Sequence, residues 1–243
     1  MTNELTSGLI AAVLSAVHIW AGRLRFLDRT PRSVWLSAAG GIAVAYVFLH
    51  LLPELGAGQL HVSELQGSGW RERLENEVYL VALAGLSAFY GLERLAVRAR
   101  VRQRRESGED GTPAGAFALH IGAFALYNVL VGYLLLHGER DNIGAYAVAM
   151  GLHFVVNDHG LRQQHRARYD HVGRWLLAAA VFAGWWIGLR VEVSELAVAL
   201  LTALLAGGVV LNVLKEELPE EGESRFAAFI AGAAVYGALL LAV

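Results

Sequence analysis

No cysteine occurs among the 243 residues, which excludes a disulfide framework and a thiolate metal site. Proline is scarce, at 4, so few helices need be interrupted. Charged residues make up only 17%, against roughly a quarter in a soluble domain. A soluble fold of this length needs a larger charged surface. A soluble enzyme, a disordered tail and a nucleic-acid binder are therefore excluded as leading readings. The formal net charge of −2 gives a polyanionic partner, nucleic acid included, nothing to hold. Lysine is almost absent: Lys215 stands alone among arginines. That bias, with abundant alanine, points to a GC-rich bacterial genome and hence to the inner (plasma) membrane.

What the chain does have is apolar sequence. Hydrophobic residues reach 56% and glycine 27 copies, with a mean hydropathy of +0.44. Glycine at this level suits close-packed membrane helices, and lipid is the first partner implied. A bilayer core takes about 20 mostly apolar residues per helix. Eight stretches qualify: 5–22, 34–55, 76–97, 114–136, 142–164, 172–190, 193–214 and 226–243. The first is read as a span rather than a cleaved leader, because Glu4 is its only early charge and Arg23 and Arg25 follow it.

The linkers set the orientation. Arg23, Arg25, Arg29 and Arg32, then the arginines between 94 and 105, then Arg162, Arg166, Arg168 and Arg174, then Lys215 and Arg225 all fall on one side. Only Arg71, Arg73, Arg140 and Arg190 fall on the other, out of 20 basic residues. The positive-inside rule makes the richer side cytoplasmic and puts both termini outside. Linker 56–75 is polar and glycine-dotted, and the segment VRQRRESGEDGTP (101–113) reads as a flexible loop.

An internal repeat is also visible. Span 2 carries Gly40-Gly41 and ends in His50-Leu51-Leu52-Pro53-Glu54, while span 7 carries Gly207-Gly208 and ends in Glu216-Glu217-Leu218-Pro219-Glu220. Gly41 to Pro53 and Gly207 to Pro219 are each 12 residues. The two spans run in opposite directions, so the match defines an inverted repeat of the kind transporters use. The expectation is an all-α integral membrane protein: one transmembrane domain of eight helices in a 3+2+3 arrangement. Its repeats cover about 5–97 and 172–243, and spans 4 and 5 stand between them.

Ionisable and amide side chains at bilayer depth are costly and mark ion or solute paths. Span 4 carries His120, Tyr127 and Asn128; span 5 carries His153, Asn157, Asp158 and His159. Helical spacing sets Tyr146, Met150, His153, Asn157, Gly160 and Gln164 on one stripe of span 5. His153 and Asn157, four residues apart, can converge on one ion; imidazole suits zinc and other first-row metals, and amide oxygen suits harder ions. Asp158 is turned about 100° from Asn157. It either completes the site or hydrogen-bonds a ligating imidazole from behind. His50 and Glu54, one turn apart at the outer end of span 2, suit an entrance. His18 beside Trp20 reads as interfacial. His165 and His171 read as surface residues, and the acidic run Glu216, Glu217, Glu220, Glu221 and Glu223 as a solvated loop.

The segment AGGIAVAYVFLHLLPEL (39–55) resembles the second span of the ZIP (Zrt/Irt-like) divalent-metal transporters. Eight spans, outside termini and a 3+2+3 inverted repeat are also that family's pattern. The resemblance implies a permease with no resident cofactor, carrying zinc or another divalent metal as cargo, and a homodimer. Family members typically carry His-Asn-x-x-Glu/Asp-Gly on span 4. Here Tyr127-Asn128-Val129-Leu130-Val131-Gly132 falls in its place. Asn128 and His153 match the family's metal-site residue types. Tyr127 replaces a histidine, Val131 and Asn157 replace carboxylates, and Phe154 stands where another polar ligand is frequent. The histidine-rich cytoplasmic loop is absent, since linker 3–4 holds no histidine. A two-metal centre on bridging carboxylates is therefore not expected, and one metal at most is.

The leading expectation is thus a transporter and not an enzyme. Its path includes His50, Glu54, Tyr127, Met150 and Gln164, and its midplane metal site includes Asn128, His153, Asn157 and Asp158. Two alternatives stay open. One is a divergent member of the fold that moves another small solute or ion, or acts as a regulator. The other is an intramembrane zinc hydrolase or a haem protein built on the histidines.

Overall fold

The computed structural model describes residues 2–23, 34–65, 77–107, 112–137, 143–217 and 225–241. Arg25, Arg29, Arg32, Arg71, Arg73, Arg140, Pro219, Glu220, Glu221 and Glu223 lie outside the described residues, as do the side chains of Glu216 and Glu217.

The described residues form eight helices and no strand. Helix α1 is Thr2–Trp20, closed by a 3₁₀ turn at Ala21–Arg23. Helix α2 runs through Val34–Tyr46, a π turn at Val47–Leu51, and Leu52–Leu65. Helices α3, α4 and α5 are Glu77–Ser107, Ala114–His137 and Ile143–His165. Helix α6 opens with a π turn at Tyr169–Gly173 and continues as Arg174–Gly188. Helix α7 is Glu195–Asn212 followed by a π turn at Val213–Glu217, and α8 is Phe226–Leu241. Each apolar stretch of the sequence coincides with one helix.

Four helical segments are long and apolar enough to cross a membrane: Val34–Leu60, Glu77–Glu106, Ala114–His137 and Glu195–Lys215. Glu4–Trp20 and Phe226–Leu240 are shorter apolar helices. The surface fits the same environment. Leu5, Leu9 and Val13, one turn apart on α1, are 66%, 69% and 63% exposed. The opposite stripe, Ser7, Ala11, Leu14 and His18, is buried. Trp20, Trp35, Trp175 and Trp186 are exposed near helix ends, the level at which tryptophan anchors in a bilayer interface.

Two helices overrun their expected ends. Helix α2 reaches Leu65 and α3 reaches Ser107, so 101–107, expected in a loop, are the last turns of α3. Hydropathy ends a span where polar residues begin, but the Arg, Gln and Glu that follow on α3 are good helix formers. Val78 N–H donates to Gln59 Oε1 at 3.0 Å, which satisfies one of the open donors at the start of α3.

The most extensive helix contacts are α4 with α6, α2 with α8 and α3 with α7. All three are reciprocal glycine crossings. At Gly41 the place of a β-carbon is taken by the carbonyl of Phe229 on α8; at Gly232 it is taken by the carbonyl of Ala38 on α2. Gly207 meets the carbonyl of Ala82 on α3, and Gly85 meets that of Leu204 on α7. Gly132 meets Val181 on α6, and Gly184 meets Val129 on α4. In every case each glycine abuts the residue three before its partner glycine, so backbones touch and dispersion and Cα–H···O contacts hold the pair.

The π turns at Val47–Leu51 and Val213–Glu217 both begin six residues past a crossing glycine, Gly41 or Gly207, and end two residues before a proline. A proline ring clashes with the carbonyl four residues earlier in a regular α-helix. The wider turn ahead of Pro53, the second residue of Leu52–Leu65, relieves that clash, and π turns recur at functional sites.

Candidate functional site

One set of helix ends encloses a crevice of about 310 Å³. Its walls include Glu4 of α1, Tyr46, His50 and Glu54 of α2, His137 of α4, Tyr146 of α5, Glu192 after α6 and Thr202 of α7. The π turn of α2 is what brings this rim together: it ends in the turn that carries His50, with Glu54 one turn further. His50 Nε2 lies 3.8 Å from Glu54 Oε2. His137 donates from Nε2 to the carbonyl of Gly188 at 2.9 Å and stacks on Tyr133. The crevice thus presents three carboxylates and two imidazoles, a lining that attracts cations.

Its floor is aromatic. Tyr46 lies 6.4 Å from Tyr146 and 6.4 Å from Tyr236, ring centre to ring centre, and 5.3 Å from His50. The crevice lining reaches Tyr46 and Tyr146 but does not include His153 or Asn128. Along α5, Met150, His153 and Asn157 follow Tyr146 inward, His153 about 10 Å further along the axis at 1.5 Å per residue. Tyr127 of α4 faces His153 across the helix pair, ring centres 6.2 Å apart.

This inner layer is buried and polar at once. Tyr127, Asn128, Met150, His153, Asn157 and Asp158 are all buried. Neither amide atom of Asn128 and neither ring nitrogen of His153 has a hydrogen-bond partner. The Asn157 amide nitrogen and the hydroxyls of Tyr127 and Tyr146 are in the same state. Native structures leave few such groups unsatisfied, and each one calls for an explanation such as an ion or water. Asp158 differs: His18 Nδ1 of α1 donates to both of its oxygens at 2.9 Å. Among the described residues no group of three or more His, Cys, Asp or Glu side chains converges to hold a metal ion.

Toward the C-terminal end of α5, Gln164 lines two grooves, together with Arg100 in both. Between these and the inner layer the helix ends are tied together. Glu93 of α3 pairs with Lys215 of α7 and accepts from Gln164 Nε2 of α5 at 3.4 Å. His120 and His165 join α4 to α5 through a 2.9 Å nitrogen–nitrogen hydrogen bond. Arg168 donates to the Thr112 carbonyl at 2.5 Å.

The sequence-predicted residues therefore occupy three levels. His50 and Glu54 are at the crevice, Tyr127, Asn128, Met150, His153, Asn157 and Asp158 in the buried interior, and Gln164 at the two grooves. Two residues read as peripheral are not. His18 is fully buried, and His165 is 6% exposed. The signal for His18 was in the sequence: it continues the stripe Ser7, Ala11, Leu14 at helical spacing, the small-residue face of α1. Glu93 and Lys215 carried no such signal, since 122 positions separate them in the chain. No known family model matches the chain, and no curated protein matches it.

Proposed function

We propose that the chain is a multi-pass membrane permease of ZIP-like architecture that moves a divalent metal cation, zinc being the ion its imidazole donors suit best. In this reading all eight helices cross the bilayer as 3+2+3 with both termini outside, and α1–α3 and α6–α8 are inverted repeats. The matched crossings support the repeat: Gly41 with Gly232 and Gly207 with Gly85 are the same contact in two settings, each followed at the same distance by a π turn. The cation enters at His50 and Glu54, passes Tyr127 and Met150, binds at Asn128, His153 and Asn157 with Asp158 behind them, and leaves past Gln164. Rocking of the repeats against α4 and α5 opens each side in turn.

The observation that carries this reading is the column of buried, unpartnered polar atoms on α4 and α5 between an acidic outer crevice and a cytoplasmic groove. Such atoms are costly in lipid unless they serve a path. Flux in proteoliposomes across zinc, cadmium, iron, manganese and sodium tests it. Uptake of at least one divalent ion, lost in His153→Ala, is the expected result; no flux of any divalent ion removes the proposal.

One observation favours a second reading. The one carboxylate on the described residues of α4 and α5, Asp158, is already engaged by His18, so a dication there meets little direct negative charge. A divergent protein of the same architecture that moves another small solute or a monovalent ion fits that balance. In that case Val131→Glu with Asn157→Glu creates zinc uptake where the parent has none.

A further inference from the structure

We propose that His18 is itself a ligand of the transported cation and that Asp158 is its positioning residue, not a ligand. The proposal rests on the permease reading above and adds a third helix, α1, to its site.

The argument begins with the proton between the two groups. His18 Nδ1 is 2.9 Å from Oδ1 and 2.9 Å from Oδ2 of Asp158. A protonated carboxyl has one O–H and makes one preferred contact. Two equal contacts fit an N–H on Nδ1 pointing between two oxygens of a carboxylate. In the neutral imidazole with that tautomer the other ring nitrogen, Nε2, carries the lone pair. It is buried and has no hydrogen-bond partner, in a side chain that is 0% exposed.

A histidine that donates one N–H to a carboxylate and turns its other nitrogen outward is the arrangement by which proteins prepare a metal ligand. The carboxylate fixes the tautomer, holds the ring still and raises the basicity of the ligating nitrogen. The alternative purpose, plain structural pairing, leaves the Nε2 atom unexplained. The neighbourhood supplies further donors. His18 and His153 both pack on Phe154, with ring centres 4.4 Å and 6.4 Å away. His153 supplies its ring nitrogens and Asn128 its amide oxygen as further unpartnered atoms, while the unpartnered atom of Asn157 is its amide nitrogen, a donor and not a ligand. Two imidazoles with the Asn128 oxygen make a neutral donor set, and the Asp158 charge reaches the cation through the His18 ring. That also accounts for a chain with the family-like layout but without the family's bridging carboxylates.

The test is histidine NMR on the purified full-length protein, labelled with ¹⁵N-histidine and titrated with ¹¹³Cd²⁺. The expected result is scalar coupling from cadmium to His18 Nε2 and to His153, while His18 Nδ1 keeps its proton. Asp158→Asn should retain the His18 coupling and weaken cadmium binding about 10–100-fold, the usual cost of losing an outer carboxylate. Because His18→Ala strands a buried carboxylate, the folded control is His18→Phe with Asp158→Leu. Loss of cadmium binding in that double variant supports the assignment, and wild-type affinity overturns it. Cadmium coupled to His153 but not to His18 overturns this inference and leaves the permease reading standing. No cadmium binding at all removes both.

Discussion

Removing the His18 imidazole alone leaves the Asp158 carboxylate, 1% exposed, with its hydrogen-bond donor gone. Breaking a buried pair from one side costs about 3–5 kcal/mol, whereas replacing both partners by apolar groups of similar volume is close to neutral. His18→Ala should therefore unfold earlier by that margin, and His18→Phe with Asp158→Leu should melt near the parent, read by thermal unfolding in detergent. A second residue-scale effect concerns pH. His165, the last residue of α5, is held down to about 4 by burial, by His120 and by Arg100 and Arg168. A histidine whose folded value lies below the ordinary 6.5 gives full stability above 6.5 and loses it as pH falls toward 4, because the unfolded chain takes up the proton first. Acid should thus loosen the α4–α5 contact through that window, and His165→Phe should flatten this part of the stability profile. Residues such as Asn128, His153 and Asn157 were legible because a polar group in an apolar run stands out against its own neighbours. The bond from His18 to Asp158 was not, since it joins positions 140 apart and no local pattern encodes a partner on another helix.

At the scale of elements, the three glycine crossings set which helices can touch. A side chain added at Gly41, Gly207 or Gly132 meets a backbone carbonyl, which cannot rotate away as a flexible side chain can. Gly207→Val should cost at least the 1–3 kcal/mol typical of overpacking and reduce the folded fraction on size-exclusion chromatography. Gly122→Ala is the matched control, because a β-carbon at Gly122 meets nothing within 4 Å. A Gly41→Val and Gly232→Val pair should be less than additive, since both changes break one contact. Wild-type behaviour of Gly207→Val would mean that α3 and α7 do not cross there. These elements were the most legible part of the chain: runs of about 20 apolar residues define helices without help from tertiary structure. Their ends were less so. The apolar signal of α3 stops well before Ser107 because lipid exposure ends there, while helix propensity does not. The π turns of α2 and α7 were marked only by Pro53 and Pro219, and a proline announces a break in the hydrogen-bond ladder without saying how the break is accommodated; the one at Tyr169–Gly173 had no such mark.

For the whole molecule, the decisive question is which face each level of the path meets, and the missing cysteine makes it answerable. With no native thiol, any cysteine introduced is the only site for a maleimide. The crevice residues Glu54 and Glu192 lie at one end and Gln164 at the other, and the proposed topology puts the Gln164 end in the cytoplasm. In intact cells Glu54→Cys and Glu192→Cys should react with a membrane-impermeant maleimide, and Gln164→Cys should react only after the membrane is opened. A cysteine at His153 should stay unreactive from either side, because the crevice stops at Tyr46 and Tyr146 while Glu93, Lys215, His120 and His165 tie the cytoplasmic ends. Releasing the inner tie alters that balance: Glu93→Gln removes the charge that holds Lys215 and should let the same reagent reach position 153 from the cytoplasmic side in inside-out vesicles. If 54, 192 and 164 all label from one face, the chain does not cross the bilayer between them, and neither inverted repeat nor alternating access survives. If position 153 labels from outside without any change at Glu93, the aromatic floor is no barrier, and the protein is better described as a pore with a cytoplasmic gate than as a carrier with two.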